Sequence, residues 1–166
     1  MSKKVINHVY LDMDGVISNF DFETVNELKS KDKWQHDGFP KFVKNKGFEK
    51  LPKLGDADML IDYLTGTGVK ITILSSAGDA GDDYDEIVRQ KKSWLAKHNI
   101  KFPAIIVKKK DLKKEYASKH ALLIDDTKKN CKDFDEEGGN AIVHRSALHT
   151  INHITENFFL KGNSDD

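Results

Sequence analysis

The segment Leu11-Asp12-Met13-Asp14-Gly15-Val16 puts two carboxylates two residues apart where an apolar run ends. At a strand end this spacing can bring both carboxyls around one point, while the glycine lets the chain turn away. Kept ionised beside a magnesium ion, Asp12 can act as nucleophile and metal ligand. Asp14 can then protonate a leaving oxygen and later activate water. The same residues are common in Asx turns and helix caps, so the pair alone leaves the two readings even.

Three other clusters bear on the choice. Asp125-Asp126 closes Leu122-Leu123-Ile124 and adds two hard oxygen donors of the kind magnesium takes, although either residue can also cap a helix starting near Thr127. Ser75-Ser76 ends another apolar run and offers hydroxyls and backbone N–H groups to a phosphate, with Gly78 allowing close approach. Between them lie Lys108-Lys109-Lys110 and Lys113-Lys114. Any of these can neutralise phosphoryl oxygens, and most of the five are expected on a solvated basic face. Together the clusters describe a metal-phosphate site.

Such residues need a scaffold that gathers strand ends. The apolar runs at 5–11, 69–74, 104–107, 121–124 and 141–143 read as strands, and 58–64, 83–98 and 127–137 carry helical spacing. This alternation predicts an α/β fold of Rossmann-like type, a parallel sheet flanked by helices, with ligands beyond the carboxyl ends of the strands. Residues 19–52 break the alternation. They are rich in Lys and aromatics (Phe20, Phe22, Trp34, Phe39, Phe42, Phe48), with Gly38 and Pro40 as breakers, and read as a small helical cap over the site. The expected organisation is a core domain from 1–18 and 53–160, the cap, and a flexible tail at 161–166.

Composition narrows the classes. Hydrophobic residues at 38% and charged residues at 33% of 166 suit one globular domain. Lys and Arg number 27, as do Asp and Glu, so no net field attracts nucleic acid or an anionic membrane, and phosphate affinity must be local. The single cysteine, Cys131, excludes an internal disulfide and a Cys-rich zinc site, which points to a reducing compartment, the cytoplasm. The first ten residues are too short an apolar stretch for a membrane span. Cys131 has no evident base partner and reads as a small buried residue. His149 and His153, four apart, lack a third metal ligand.

The order Asp-x-Asp-Gly-Val, strand-Ser, Lys, strand-Asp-Asp resembles the four-motif order of the haloacid dehalogenase (HAD) superfamily, over residues 5 to about 145. Residues 11–20 (LDMDGVISNF), LLIDD at 122–126 and GGNAIVH at 138–144 are similar to the 5′(3′)-deoxyribonucleotidase family and its phage and bacterial relatives. The resemblance implies a magnesium-dependent phosphomonoesterase working through an aspartyl-phosphate. Asp12 would be nucleophile and ligand. Asp14 would be acid and base with its carbonyl on the metal, Asp126 the third protein ligand, and Asp125 its neighbour. Ser75, with Ser76 beside it, would hold phosphate. Lys113 is the matching lysine, because Lys113-Lys114-Glu115-Tyr116-Ala117 resembles a Lys-x-x-Tyr-Ala run of some relatives, with Lys114 in reserve. Phe20 matches a base-stacking aromatic, and Lys91, three before Trp94, falls in the family's Lys-x-x-Trp position. Both are expected to bind substrate.

This chain departs from the nucleotidase pattern at Ser75-Ser76-Ala77-Gly78-Asp79, where the family has Thr-Ser-Pro and a nearby basic residue. The expected substrate is a small phosphate ester, a nucleoside or deoxynucleoside monophosphate. A nucleic-acid terminus is disfavoured by the balanced charge, and a non-catalytic binding module by the filled catalytic positions. Nothing in the sequence fixes the oligomeric state, and a homodimer remains open.

Overall fold

The computed structural model describes residues 2–21 and 31–162. Five parallel strands form the main sheet: β2 (His8–Leu11), β3 (Lys70–Ser76), β4 (Ala104–Val107), β5 (Ala121–Asp125) and β6 (Asn140–Val143), in the order β4-β3-β2-β5-β6. β2 is central, with Leu11 level with Ile73 on one side and Ile124 on the other. The carboxyl ends of these three strands therefore lie side by side.

Alternate residues of each strand feed two cores. Val9, Leu11, Ile71, Ile73, Leu122 and Ile124 pack under α3 (Ala57–Gly66), α4 (Tyr84–Lys97) and α6 (Ala147–Asn157). Tyr10, Leu74 and Leu123 face the other way, onto Phe134 of α5 (Lys128–Glu136) and onto Leu112 and Tyr116 of the 3₁₀ segment Lys110–Tyr116. A sheet covered on both faces explains why its strands read as almost continuous apolar runs. All five predicted strand regions and the three predicted helices are present.

Two boundaries differ. The run at 5–11 is broken at Asn7, whose N–H donates to the His120 carbonyl (2.9 Å). Only β2 joins the main sheet, while β1 (Lys4–Ile6) pairs in parallel with β7 (Phe158–Leu160) in a separate two-stranded sheet. The expected tail is anchored where it begins. Lys161 N–H donates to the Ile6 carbonyl (2.7 Å), and Gly162 bridges Val69. Residues 163–166 lie outside the described residues.

Within 31–50 the chain forms a helical turn (Lys31–Lys33), a π-helical turn (Trp34–Gly38), α1 (Phe39–Lys44) and α2 (Gly47–Lys50). Pro40 sits in the first turn of α1, where its missing N–H costs no bond. Phe20, Trp34, Phe39, Phe42 and Phe48 form one cluster, with Phe20 stacked on Phe48 at 5.9 Å. Phe22 falls outside the described residues. α4 holds this segment through its polar side chains: Gln90 Nε2 donates to the Val43 carbonyl (2.7 Å), Gln90 Oε1 accepts from Phe48 N–H (3.2 Å), and Trp94 Nε1 donates to the Leu51 carbonyl (2.7 Å). Among the described residues no helix is long and apolar enough to cross a membrane.

Candidate active site

Asp12 follows β2 directly, its N–H bonded to the Ile124 carbonyl (3.0 Å), so the register of the central strands fixes where its carboxyl stands. The loop then closes on Met13, whose carbonyl accepts from the N–H groups of Val16, Ile17 and Ser18. Gly15 takes φ +84°, and a Cβ there would stand 1.9 Å from Asp126 Oδ2. The glycine both makes the turn and leaves room for the acid from β5.

Lys113 projects from the 3₁₀ segment into the space between β2 and β5. Its Nζ lies 3.0 Å from Asp12 Oδ1 and 2.8 Å from Asp125 Oδ2. Only 2% of Lys113 is exposed. Burial works against its ammonium, but Asp12 and Asp125 outweigh that and hold it above its ordinary pKa. Lys114 is exposed and does not line the cavity described below, because the next position along the 3₁₀ turn points away from the strands. Of the two lysines expected to bind phosphate, the structure places Lys113 in the site and not Lys114.

The two aspartates after β5 have different surroundings. Asp125 is fully buried; Oδ1 accepts from Thr127 N–H (2.9 Å), and Asn130 Nδ2 lies 3.2 Å from Oδ2. Asp126 is exposed and reaches the cavity. One oxygen each of Asp12, Asp125 and Asp126 can be chosen so that all three lie within 4.8 Å of one another, the one such acid, His or Cys group among the described residues. Burial, opposed by Lys113 but reinforced by the neighbouring acids, pushes the Asp12 carboxyl up to about 8. Burial and Asp125 also raise that of Asp126. A cluster of oxygen donors short of positive charge fits a hard divalent cation.

Asp14 is held at both carboxyl oxygens, Oδ1 by the Ser18 hydroxyl (2.8 Å) and Oδ2 by Lys91 Nζ (2.9 Å). This leaves its backbone carbonyl as the atom for the expected metal role. Ser75, 1% exposed at the end of β3, accepts from Lys91 Nζ (2.7 Å), and Ser76 Oγ accepts from Gly78 N–H (3.0 Å). Lys91 was expected to touch substrate. Instead it is 1% exposed and lies behind the cavity wall, with its ammonium spent on Asp14 and Ser75.

Asp12, Asp14, Ser75, Ser76, Lys113 and Asp126 all face one cavity of about 920 Å³. Phe20, Trp34, Phe39 and Phe48 form part of its wall, and Asp79, Asp83, Lys109 and Lys110 also line it. Sequence reasoning missed Ser18, Asn130 and Thr127. Ser18 lies four residues after Asp14 and Asn130 five after Asp125, but nothing marks either as a partner until the loop and α5 are in place.

Burial first, then Asp125, pushes the Cys131 thiol up to about 12, so it is no nucleophile near neutral pH. The His149 and His153 rings are 6.3 Å apart, with no third ligand gathered beside them among the described residues.

Solved structures share this architecture over nearly the whole chain. A HAD-superfamily hydrolase from Ehrlichia chaffeensis matches with a TM-score of 0.59 at 14% identity, covering 93% of this chain and 98% of its own. The chain shares the fold of this HAD-superfamily hydrolase. A hydrolase from Streptococcus pneumoniae matches at 0.57 with 13% identity, covering 90% of this chain and 98% of its own. A HAD-family enzyme from Bacteroides thetaiotaomicron, solved with magnesium and inorganic phosphate, matches at 0.51 with 16% identity, covering 85% and 95%. No protein-family model and no curated protein matches the sequence. At these identities the likeness shows the fold alone.

Proposed function

We propose that the chain is a magnesium-dependent phosphomonoesterase acting on nucleoside or deoxynucleoside monophosphates through an aspartyl-phosphate on Asp12. The carrying observation is that Asp12, Asp14, Ser75, Lys113 and Asp126 come from three neighbouring strand ends and the adjoining 3₁₀ segment, and all face one cavity. In this reading Asp12 and Asp126, backed by Asp125, hold the cation. When bound, magnesium supplies positive charge that draws phosphoryl oxygens together and offsets the clustered carboxylates.

The remaining chemistry belongs to the chain. An Asp12 carboxylate oxygen attacks phosphorus while the ester P–O bond breaks, and the departing oxygen takes a proton from Asp14. Asp14, now a carboxylate, takes a proton from water as that water attacks the aspartyl-phosphate. Phosphate leaves, and Asp12 is regenerated. Lys113 neutralises charge on the phosphoryl oxygens, and the Ser75 hydroxyl donates to one of them.

The nucleotide assignment is supported by the resemblance around residues 11–20 and 122–126 and by the aromatic wall, where Phe20 can meet a base. The helical segment carrying Trp34, Phe39 and Phe48 serves as the lid. A panel of deoxynucleotides, ribonucleotides, sugar phosphates and phosphorylated DNA ends, with magnesium and with chelator, tests the whole reading. Nucleoside monophosphates should be hydrolysed best and only with the metal. Hydrolysis of no ester, or full turnover in chelator, overturns the activity. Preference for DNA ends replaces the substrate.

A further inference from the structure

The buried face of α4 is Ile87, Gln90, Lys91, Trp94 and Leu95. An ammonium at such a position costs several kcal/mol unless it is fully paired, and Lys91 is fully paired. Its Nζ donates to Asp14 Oδ2 (2.9 Å) and to Ser75 Oγ (2.7 Å), and lies 4.8 Å from the centre of the Phe48 ring. A lysine has three N–H donors and no acceptor. The carboxylate and the hydroxyl take two of them, and the third side of the ammonium lies over the Phe48 ring.

Resting on the phosphatase reading, we propose that Lys91 is a positioning residue for proton transfer, fixing Asp14 toward the leaving oxygen without touching substrate. The Ser18 hydroxyl at Oδ1 is one anchor, about which the Asp14 carboxyl can still rock; Lys91 at Oδ2 is the second. Two opposed anchors define the carboxyl plane, and a general acid works only when its proton points at the atom that receives it. The same ammonium sets Ser75. Because lysine can only donate, the Ser75 oxygen accepts from it, and the serine's own proton is free to point at an anionic phosphoryl oxygen. One buried charge therefore orients the acid that serves the leaving group and the hydroxyl that holds the transferring group. Its third side rests on Phe48, in the segment that carries the aromatic wall.

Lys91→Met keeps the length and removes charge and donors. With magnesium, its kcat/KM on a nucleoside monophosphate, which reports formation of the aspartyl-phosphate and not the hydrolysis step common to all esters, should fall by about 10²-fold, the scale of a general-acid contribution, while KM stays within a few-fold. On p-nitrophenyl phosphate, whose leaving group departs as a stable phenolate without needing a proton, the loss should be about tenfold smaller. Lys91→Gln, which restores an N–H donor, should recover part of the loss on the nucleotide and little on the aryl ester. If Lys91→Met does not fold by circular dichroism, Lys91→Gln still carries the comparison, because its residual loss should be greater on the nucleotide. Equal losses of kcat/KM on both esters, or a raised KM with unchanged kcat, overturn the positioning role while leaving the phosphatase reading intact. A wild-type protein inert on both esters overturns the phosphatase reading and this inference with it.

Discussion

Gly15 and Asp126 are packed so closely that no side chain fits between them: a Cβ on Gly15 would lie 1.9 Å from Asp126 Oδ2. The positive φ of +84° adds strain for any L-residue, about 1–2 kcal/mol. Gly15→Ala should therefore lower Tm by several degrees and, by displacing the Asp126 carboxyl, weaken magnesium binding by at least tenfold. Differential scanning calorimetry and titration calorimetry check both. Wild-type metal affinity in this variant would show that Asp126 is not a ligand.

Asp12→Asn should abolish turnover, because an amide cannot form the acyl phosphate. The fold should survive, since the amide nearly matches the carboxylate in shape and removes a carboxyl that burial and the neighbouring acids disfavour in its charged form. The metal-free variant should melt no more than a few degrees from wild type. Measurable turnover by a pure preparation would remove the covalent route.

Metal affinity should depend on pH through Asp12. Burial pushes the Asp12 carboxyl up to about 8 against the pull of Lys113, so a cation that binds there competes with a proton. Magnesium affinity should rise, by up to about tenfold per unit, from pH 6 toward 8 and then level off. Titrations in two buffers of different ionisation enthalpy should show proton release near pH 7. A flat affinity across this range would contradict the assignment.

Phe20 packs face-on against Phe48 and edge-on against Trp34 and Phe42, and lines the cavity. Phe20→Ala should raise KM for a nucleoside monophosphate by roughly two- to tenfold, since aromatic pairs contribute about 0.5–1.5 kcal/mol beyond area burial. A base-free sugar phosphate should be nearly indifferent. An equal change on both would make Phe20 a structural residue of the aromatic cluster.

His144 is buried, with Nδ1 2.7 Å from Thr150 Oγ1, and burial holds its imidazole below the ordinary 6.5 despite Asp56. A depressed histidine contributes stability that is complete above about 6.5 and is lost as pH falls below it, because the unfolded chain then binds the extra proton. Asp12, raised in the fold, works in the opposite direction over the same range. The comparison is therefore between wild type and His144→Gln in parallel melts from pH 7.5 to 5.5, where the Asp12 contribution cancels. The variant should lose less stability on acidification; identical slopes would show that His144 does not titrate with folding.

The parts of the site that lie at strand ends were legible in the sequence, because a strand end is marked twice, by the apolar run and by the polar residue that stops it. Asp12, Ser75 and Asp125 each follow or close such a run. Lys113 was one of five candidates in a basic stretch, preferred on its spacing from Tyr116-Ala117, and the 3₁₀ turn buries it while exposing Lys114. Lys91 shows the converse. Its spacing from Trp94 was visible, but not that a helix would aim it at the back of Asp14, which depends on contacts across 77 residues. The split between β1 and β2 was hidden because Asn7 interrupts an apolar run by one residue, and the partner that claims β1 lies at the far end of the chain.

The placement of β2 at the middle of the sheet has a kinetic meaning. Its two neighbours, β3 and β5, come from residues 70–76 and 121–125, and the Lys113–Asp12 pair spans 101 residues. High contact order of this kind makes folding slow, since long loops must close before the contacts that reward closure can form. During synthesis β2 emerges early, gains a neighbour at one edge once β3 is out, and keeps its other edge unpaired until β5 has been made. Until then Asp12 stands apart from Asp125 and Asp126, so the cluster of acids comes into being only with the late joining of β5 to β2.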